Sequence, residues 1–210
     1  MQAGTVRGLD AAARATYRRL AWTDTLPAFT LLRTTIDSSG KDTTIAVLGV
    51  SGVNAAQPRL VSIAPSGRTD WPAGTRVSTD RSPRWTEALD GVYFGLAIVP
   101  PAVPRDAQLT DDDRPSLRLW HDKDPRLQSQ QDVQATPDRT FSYLAAYWPG
   151  NDRVVQLTDA AARTGSATDG DRWILTNDVT PYQRQASVDG INRRDVYAVD
   201  PRTGLKRRAL

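Results

Sequence analysis

His121 is the single histidine of this 210-residue chain, and its surroundings set what chemistry is open. An acyl-transfer triad needs a serine on a strained strand-to-helix turn, written G-x-S-x-G. No serine meets that spacing; Gly49-Val-Ser-Gly52 comes nearest, but it lacks the final glycine and precedes no helix. Thiolate catalysis and thiolate metal sites are closed, because the chain has no cysteine. His121 with Asp122 and Asp124 is too small a donor set for zinc, and Asp111-Asp-Asp113 lacks the alternating donors and bend glycine of a calcium loop. Glycoside hydrolysis needs a carboxylate pair, and no Asp/Glu pair stands out, with Glu87 the only glutamate. Neither G-x-x-x-x-G-K-[ST] nor G-x-G-x-x-G is present to cradle a phosphate. The sequence therefore offers no catalytic, cofactor or metal residue. Tyr182 and Arg184 are the candidate substrate-facing pair, since an aromatic ring and a guanidinium suit peptide carbonyls and carboxylates. The plainer role for both is packing at the rim of a sheet.

Charge and composition narrow the partners. The net charge is +3, from 27 Lys and Arg against 24 Asp and Glu, with a pI near 9.4. A nucleic-acid surface would gather that excess on one face. Here acids sit beside bases, as in Asp111-Asp-Asp-Arg114 and Arg193-Arg-Asp195. The one basic run, Lys206-Arg-Arg208, divides between the two faces of a strand. No nucleic-acid partner is expected. Hydrophobic residues make up 39% and the mean hydropathy is -0.49, as in a soluble globular protein. No apolar run approaches the roughly 20 residues that span a bilayer, so no membrane partner is expected. Met1 to Leu20 carries four arginines and no apolar core of a signal peptide, which leaves localisation open.

The elements that would position any site read as strands and turns. Phe141 to Tyr147, a Trp-Pro-Gly-Asn-Asp turn and Arg153 to Leu157 form one unit. Asp195 to Asp200, a Pro-Arg-Thr-Gly turn and Leu205 to Leu210 echo it, with Tyr143 matching Tyr197. Units of roughly 40–50 residues with about four strands each are the signature of propeller blades. Further strands are expected at Ala28–Arg33, Thr43–Val50, Arg59–Ile63, Gly91–Ile98 and Arg172–Thr176. The β-branched run from Thr43 to Val50 suits a strand buried on both faces. Asp37 to Lys41 reads as a turn. Three segments, Ser78–Trp85, Thr136–Arg139 and Ala167–Asp171, place an Asp turn ahead of an aromatic-bearing strand. Pro100 to Pro115 reads as a long inter-strand loop. The expected fold is all-β: a partial β-propeller of about four blades, each an antiparallel four-stranded sheet, over residues 22–210. Residues 1–21 form an N-terminal segment with a short helix over Ala11–Leu20. The chain stops on the second strand of a unit, as a piece of a longer propeller would.

One stretch carries a family resemblance. Leu119-Trp-His-Asp-Lys-Asp-Pro-Arg-Leu-Gln-Ser-Gln-Gln131 resembles a propeller segment of bacterial serine peptidases of the prolyl oligopeptidase family, where a Trp-His-x-Lys-Asp-Pro-x-Leu-Gln run precedes the next blade's Tyr-Leu strand. Asp122 stands where that family carries an aromatic residue. Thr79–Glu87 with Tyr93-Phe-Gly95, Thr180–Arg184, and Arg194–Asp200 with Thr203-Gly204 are similar to the same family. The resemblance implies a parent serine peptidase whose propeller gates short peptides into a C-terminal α/β-hydrolase domain. That domain carries serine, aspartate and histidine in this order, and none of those positions lies in this sequence. Export of such a parent is part of the same expectation. The alternative is a stand-alone propeller that binds a protein or a peptide, and a glycosidase-like propeller is the third reading.

Overall fold

The computed structural model describes residues 6–40, 42–100 and 128–209. The β-branched run forms β3 (Thr43–Ser51), which cannot leave either face in water without exposing Val47, Leu48 and Val50. It is flanked by β2 (Ala28–Ile36) and β4 (Arg59–Ile63), and β2 in turn pairs with β1 (Ala15–Trp22), giving a meander in chain order. The Asp37 turn closes the β2–β3 hairpin, with Asp37 N bonded to Asp42 O at 3.0 Å and Gly40 at φ 74°. A left-handed backbone there favours the residue without a β-carbon.

The middle sheet begins with a broken edge. β5 (Thr75–Val77) and β6 (Arg84–Trp85) both pair with β7 (Val92–Ile98), Thr75 against Ile98 at one end and Trp85 against Val92 at the other. They are two halves of one strand, with residues 78–83 looping out between them. β8 (Tyr143–Trp148) and β9 (Arg153–Gln156) complete the sheet. The third sheet runs β10 (Thr164–Ala167), β11 (Ile174–Asp178), β12 (Asp195–Val199) and β13 (Lys206–Arg208). Every pairing is antiparallel. The fold is all-β: the described residues build three meander sheets stacked as blades of a partial propeller. Two short helices, α1 (Gln128–Arg139) and α2 (Gln183–Asp189), lie between the second and third strands of the middle and third sheets.

Alternation along the middle sheet fixes the stacking. Val92, Phe94, Leu96, Ala145, Tyr147 and Val154 pack against the first sheet, while Tyr93, Leu144, Ala146, Trp148 and Val155 pack toward the third. Successive residues of a strand point to opposite faces, so a sheet covered on both sides reads as a continuous apolar run. That is why β7 and β8 show no polar alternation. Gly49 lets the first two sheets approach: a β-carbon there would stand 2.7 Å from the Trp85 ring. Trp85 Nε1 then donates to Phe29 O at 3.0 Å, and Thr30 Oγ1 to Pro83 O at 2.6 Å.

Three expectations change. The helix expected over Ala11–Leu20 is instead mostly strand β1, paired from Ala15 against Thr35 to Trp22 against Phe29. The unpaired N–H and C=O groups along β2 template it, and Thr16, Tyr17 and Trp22 favour extended backbone. Positive φ at Arg14 and Arg19 and a bulge between Arg18 and Ala21 are incompatible with a helix there. Residues 15–22 thus belong to the first blade. Second, Thr136–Arg139 forms the end of α1 rather than a turn. Third, the hairpin turns align Trp148 with Asp200, since Trp148 pairs with Arg153 while Asp200 N bonds Leu205 O at 2.9 Å. Tyr197 therefore matches Ala145, on the same face as Tyr143 but two residues along. His121, Asp122, Asp124, the Asp111–Asp113 cluster and the loop from 101 to 115 lie outside the described residues, and Gln128–Gln131 of the family-like run opens α1.

Candidate functional site

Tyr182 and Arg184 are held apart in role. Tyr182 ends a 3-10 turn, Thr180–Tyr182, and its hydroxyl donates to Asp195 Oδ1 at 2.9 Å. Arg208 Nη2 donates to the same oxygen at 2.8 Å. The bond to Asp195 holds the Tyr182 phenol above its ordinary pKa. The ring thus ties the α2 connection to its own sheet. Arg184 is exposed on α2 and bonds to none of the described residues. Neither residue lines the cleft beside them, of about 380 Å³, whose wall takes Gln134, Asp138, Phe141, Arg163, Asn177 and Gln183. There Arg163 Nη1 donates to Asp138 Oδ1 at 2.8 Å and lies 4.0 Å over the Phe141 ring. Its charge is already matched.

A second cluster spans the seam between the middle and third sheets. Asp169-Gly-Asp171 turns tightly, with φ 68° at Gly170 and 53° at Asp171. This aims the buried Asp171 carboxylate at the turn after β6, where it accepts Glu87 N at 2.7 Å and Arg84 Nη2 at 3.4 Å. Glu87 Oε2 accepts Gly170 N at 3.1 Å in return. Both carboxylates are spent on backbone amides, so the pair clasps two turns rather than moving protons. The Arg84 guanidinium lies 4.4 Å over the Tyr93 ring. Burial, then the Asp171 charge, raises the Tyr93 phenol well above its usual value. Asp171 is near enough to do this, yet no acceptor or donor is aligned with the buried Tyr93 hydroxyl.

The loop that splits β5 from β6 is the third feature. Ser78 N bonds Gly95 O at 2.8 Å, Asp80 N bonds Ser78 Oγ at 3.1 Å, and Pro83 O takes the Thr30 hydroxyl. Arg81 stands between these anchors, half-buried, and donates through Nε to Ser142 Oγ and through Nη2 to Ser142 O, both at 3.2 Å. Gly95 leaves the room: a β-carbon there would stand 2.8 Å from the Arg81 β-carbon. Burial pulls the Arg81 pKa below its ordinary value, and no carboxylate among the described residues pairs with it. Sequence reasoning marked Ser78–Trp85 as a turn but not Arg81 as a site. The signal was present in the six-residue gap between strand-forming stretches opposite one continuous β7.

The described residues contain no histidine and no cluster of three or more metal-ligating side chains. Open clefts of about 520 and 550 Å³ also lie along the first seam, one at Thr43, Ile45 and Arg76, the other at Trp22, Asp24 and Glu87. Comparison with known proteins finds no family model and no characterised relative that matches the chain.

Proposed function

We propose that this chain is the non-catalytic propeller portion of a serine peptidase that resembles the prolyl oligopeptidase family. In this reading it gates short peptides toward an α/β-hydrolase domain carried elsewhere on the same polypeptide. The observation that carries the reading is the stack of meander blades, joined to the Trp120–Gln131 run of the sequence. In this reading the sheet stack supplies walls and an opening, and the reaction chemistry comes from the other unit. Reading the coding sequence beyond Leu210 tests it. A G-x-S-x-G followed by a later Asp and His supports the proposal, and a stop codon at that point overturns it. Labelling of this chain alone by a serine-directed fluorophosphonate, with turnover of a peptide, also overturns it. The second reading, a free-standing peptide-binding module, is favoured by the open cleft between α1 and α2, whose wall is mostly apolar with Asp138, Arg163 and Asn177 among its polar groups. It predicts peptide binding by the isolated chain with no hydrolase sequence downstream.

A further inference from the structure

We infer that Arg81 anchors the carboxylate of a ligand, the C-terminal carboxylate of a short peptide, at the break in the first strand of the middle blade. The choice of a peptide rests on the proposed function; the carboxylate site itself does not. A guanidinium taken partly out of water is costly unless an anion or a full set of acceptors compensates it. Arg81 has neither. Its two bonds go to the uncharged Ser142 oxygens through Nε and Nη2, and Nη1 has no acceptor among the described residues. Asp80, the nearest acid in the sequence, is exposed and makes no ion pair among the described residues, its backbone amide being engaged with Ser78. Arg19 adds a second cation on the same loop, donating from Nε to Thr79 O at 2.9 Å.

The geometry is prepared in advance. Ser142 occupies one edge of the fork, so the ring-like plane of the guanidinium is fixed and the opposite end is free for a carboxylate to accept two parallel N–H bonds. Ser78, Gly95 and Pro83 hold the loop at both ends, so little chain ordering is left to occur on binding. A cation needed only for solubility would sit out in water, as Arg76 and Arg184 do. Arg81 is instead held half-buried within a pinned loop on neutral acceptors alone, so an arriving anion supplies the charge partner it lacks among the described residues.

The test compares a short N-acetylated peptide bearing a free C-terminal carboxylate with the same peptide amidated, by calorimetry at low salt. The wild-type chain and Arg81→Met and Arg76→Gln variants are each titrated, and each variant's urea midpoint is recorded. The expected result is about tenfold or greater preference for the free acid in wild type and Arg76→Gln, lost in Arg81→Met. The urea midpoint of Arg81→Met stays level or rises, because a half-buried charge held only by neutral acceptors has gone. Equal binding of acid and amide by wild type, or preference retained in Arg81→Met, overturns the inference. A fall in the Arg81→Met midpoint with no change in ligand preference assigns Arg81 to holding Ser142 and also overturns it. If acetate shifts the midpoint of wild type but not of Arg81→Met, while neither peptide binds better than acetate, the carboxylate site stands and the peptide reading fails.

Discussion

The seam between the first and middle sheets is apolar and interlocked, whereas the seam between the middle and third sheets is small and edged with charge. In the first, Leu32, Val47, Val61 and Ile63 meet Val77, Trp85, Phe94, Leu96 and Tyr147. In the second, Ile174 and Val199 are the buried apolar contributions of the third sheet, facing Tyr93, Leu144, Trp148 and Leu157. Charge does much of the remaining joining: Arg84 to Asp171, Lys206 to Asp159 at 3.1 Å, and Arg202 to Asp90. Arg202 also lies 4.2 Å over the Trp148 ring, whose Nε1 donates to Pro201 O. Exposed pairs of this sort contribute about 0–1 kcal/mol each, while apolar burial scales with area. The first seam therefore carries most of the stability, and the second sets where the stack opens. Two of the three buried polar side-chain atoms left without a partner among the described residues, the Tyr93 hydroxyl and Thr176 Oγ1, lie on the faces that meet at the second seam, and the third, Arg33 Nε, is on β2 of the first sheet.

The largest expected effect breaks the apolar seam. Trp85→Ala removes a ring packed against Gly49 together with its bond to Phe29, and is expected to cost about 3–5 kcal/mol. Ile174→Ala at the second seam is expected to cost about 2–4 kcal/mol and to release the third sheet ahead of the others. Urea titration gives the totals, and amide exchange shows which strands lose protection. Uniform loss of protection in Ile174→Ala would contradict the division into a strong and a weak seam.

A medium effect comes from the polar staple that backs the first seam. Arg68 donates to Asp70 at 2.9 Å and to Asp152 at 2.7 Å, and Asp70 also accepts Val154 N at 2.6 Å. The Arg68 bond lowers the Asp70 pKa against the opposing effect of burial. A carboxylate depressed in the fold contributes stability above its unfolded value of about 3.9 and loses it as pH falls through the folded value. Thermal unfolding at pH 7 and pH 2.5 is expected to show Asp70→Asn less stable than wild type by about 1–2 kcal/mol at pH 7, with the gap closing in acid. A gap unchanged at pH 2.5 would mean that the lost charge is not what Asp70 supplies.

The smallest effect sharpens the view of the second seam. Tyr93→Phe deletes a buried hydroxyl with no aligned partner, so stability should hold or rise within about 1 kcal/mol. A urea midpoint corresponding to a loss of about 2 kcal/mol or more would show that the hydroxyl is hydrogen-bonded in solution.

Much of the fold was legible in the residues. Arg59–Ile63 appears where alternation placed it, and Thr43–Val50 is buried on both faces from Ala46 onward, as its composition implied. The N-terminal strand was not legible, because Ala11–Leu20 has helix-forming composition and becomes a strand only beside the edge of β2. The candidate site was less legible still. Tyr182 and Arg184 were chosen for side-chain type, and Tyr182 proved to be bonded within its own sheet. Arg81 drew no notice, since arginine in a polar turn ordinarily faces solvent.

Local pattern alone settled most of the strands and several of their turns, because those depend on neighbours a few positions apart. Which face of each strand met which sheet, the splitting of β5 from β6, and the joining of Asp171 to Glu87 came from stacking. Such contacts link residues far apart in the chain, and their energy exists only once the sheets have closed on one another.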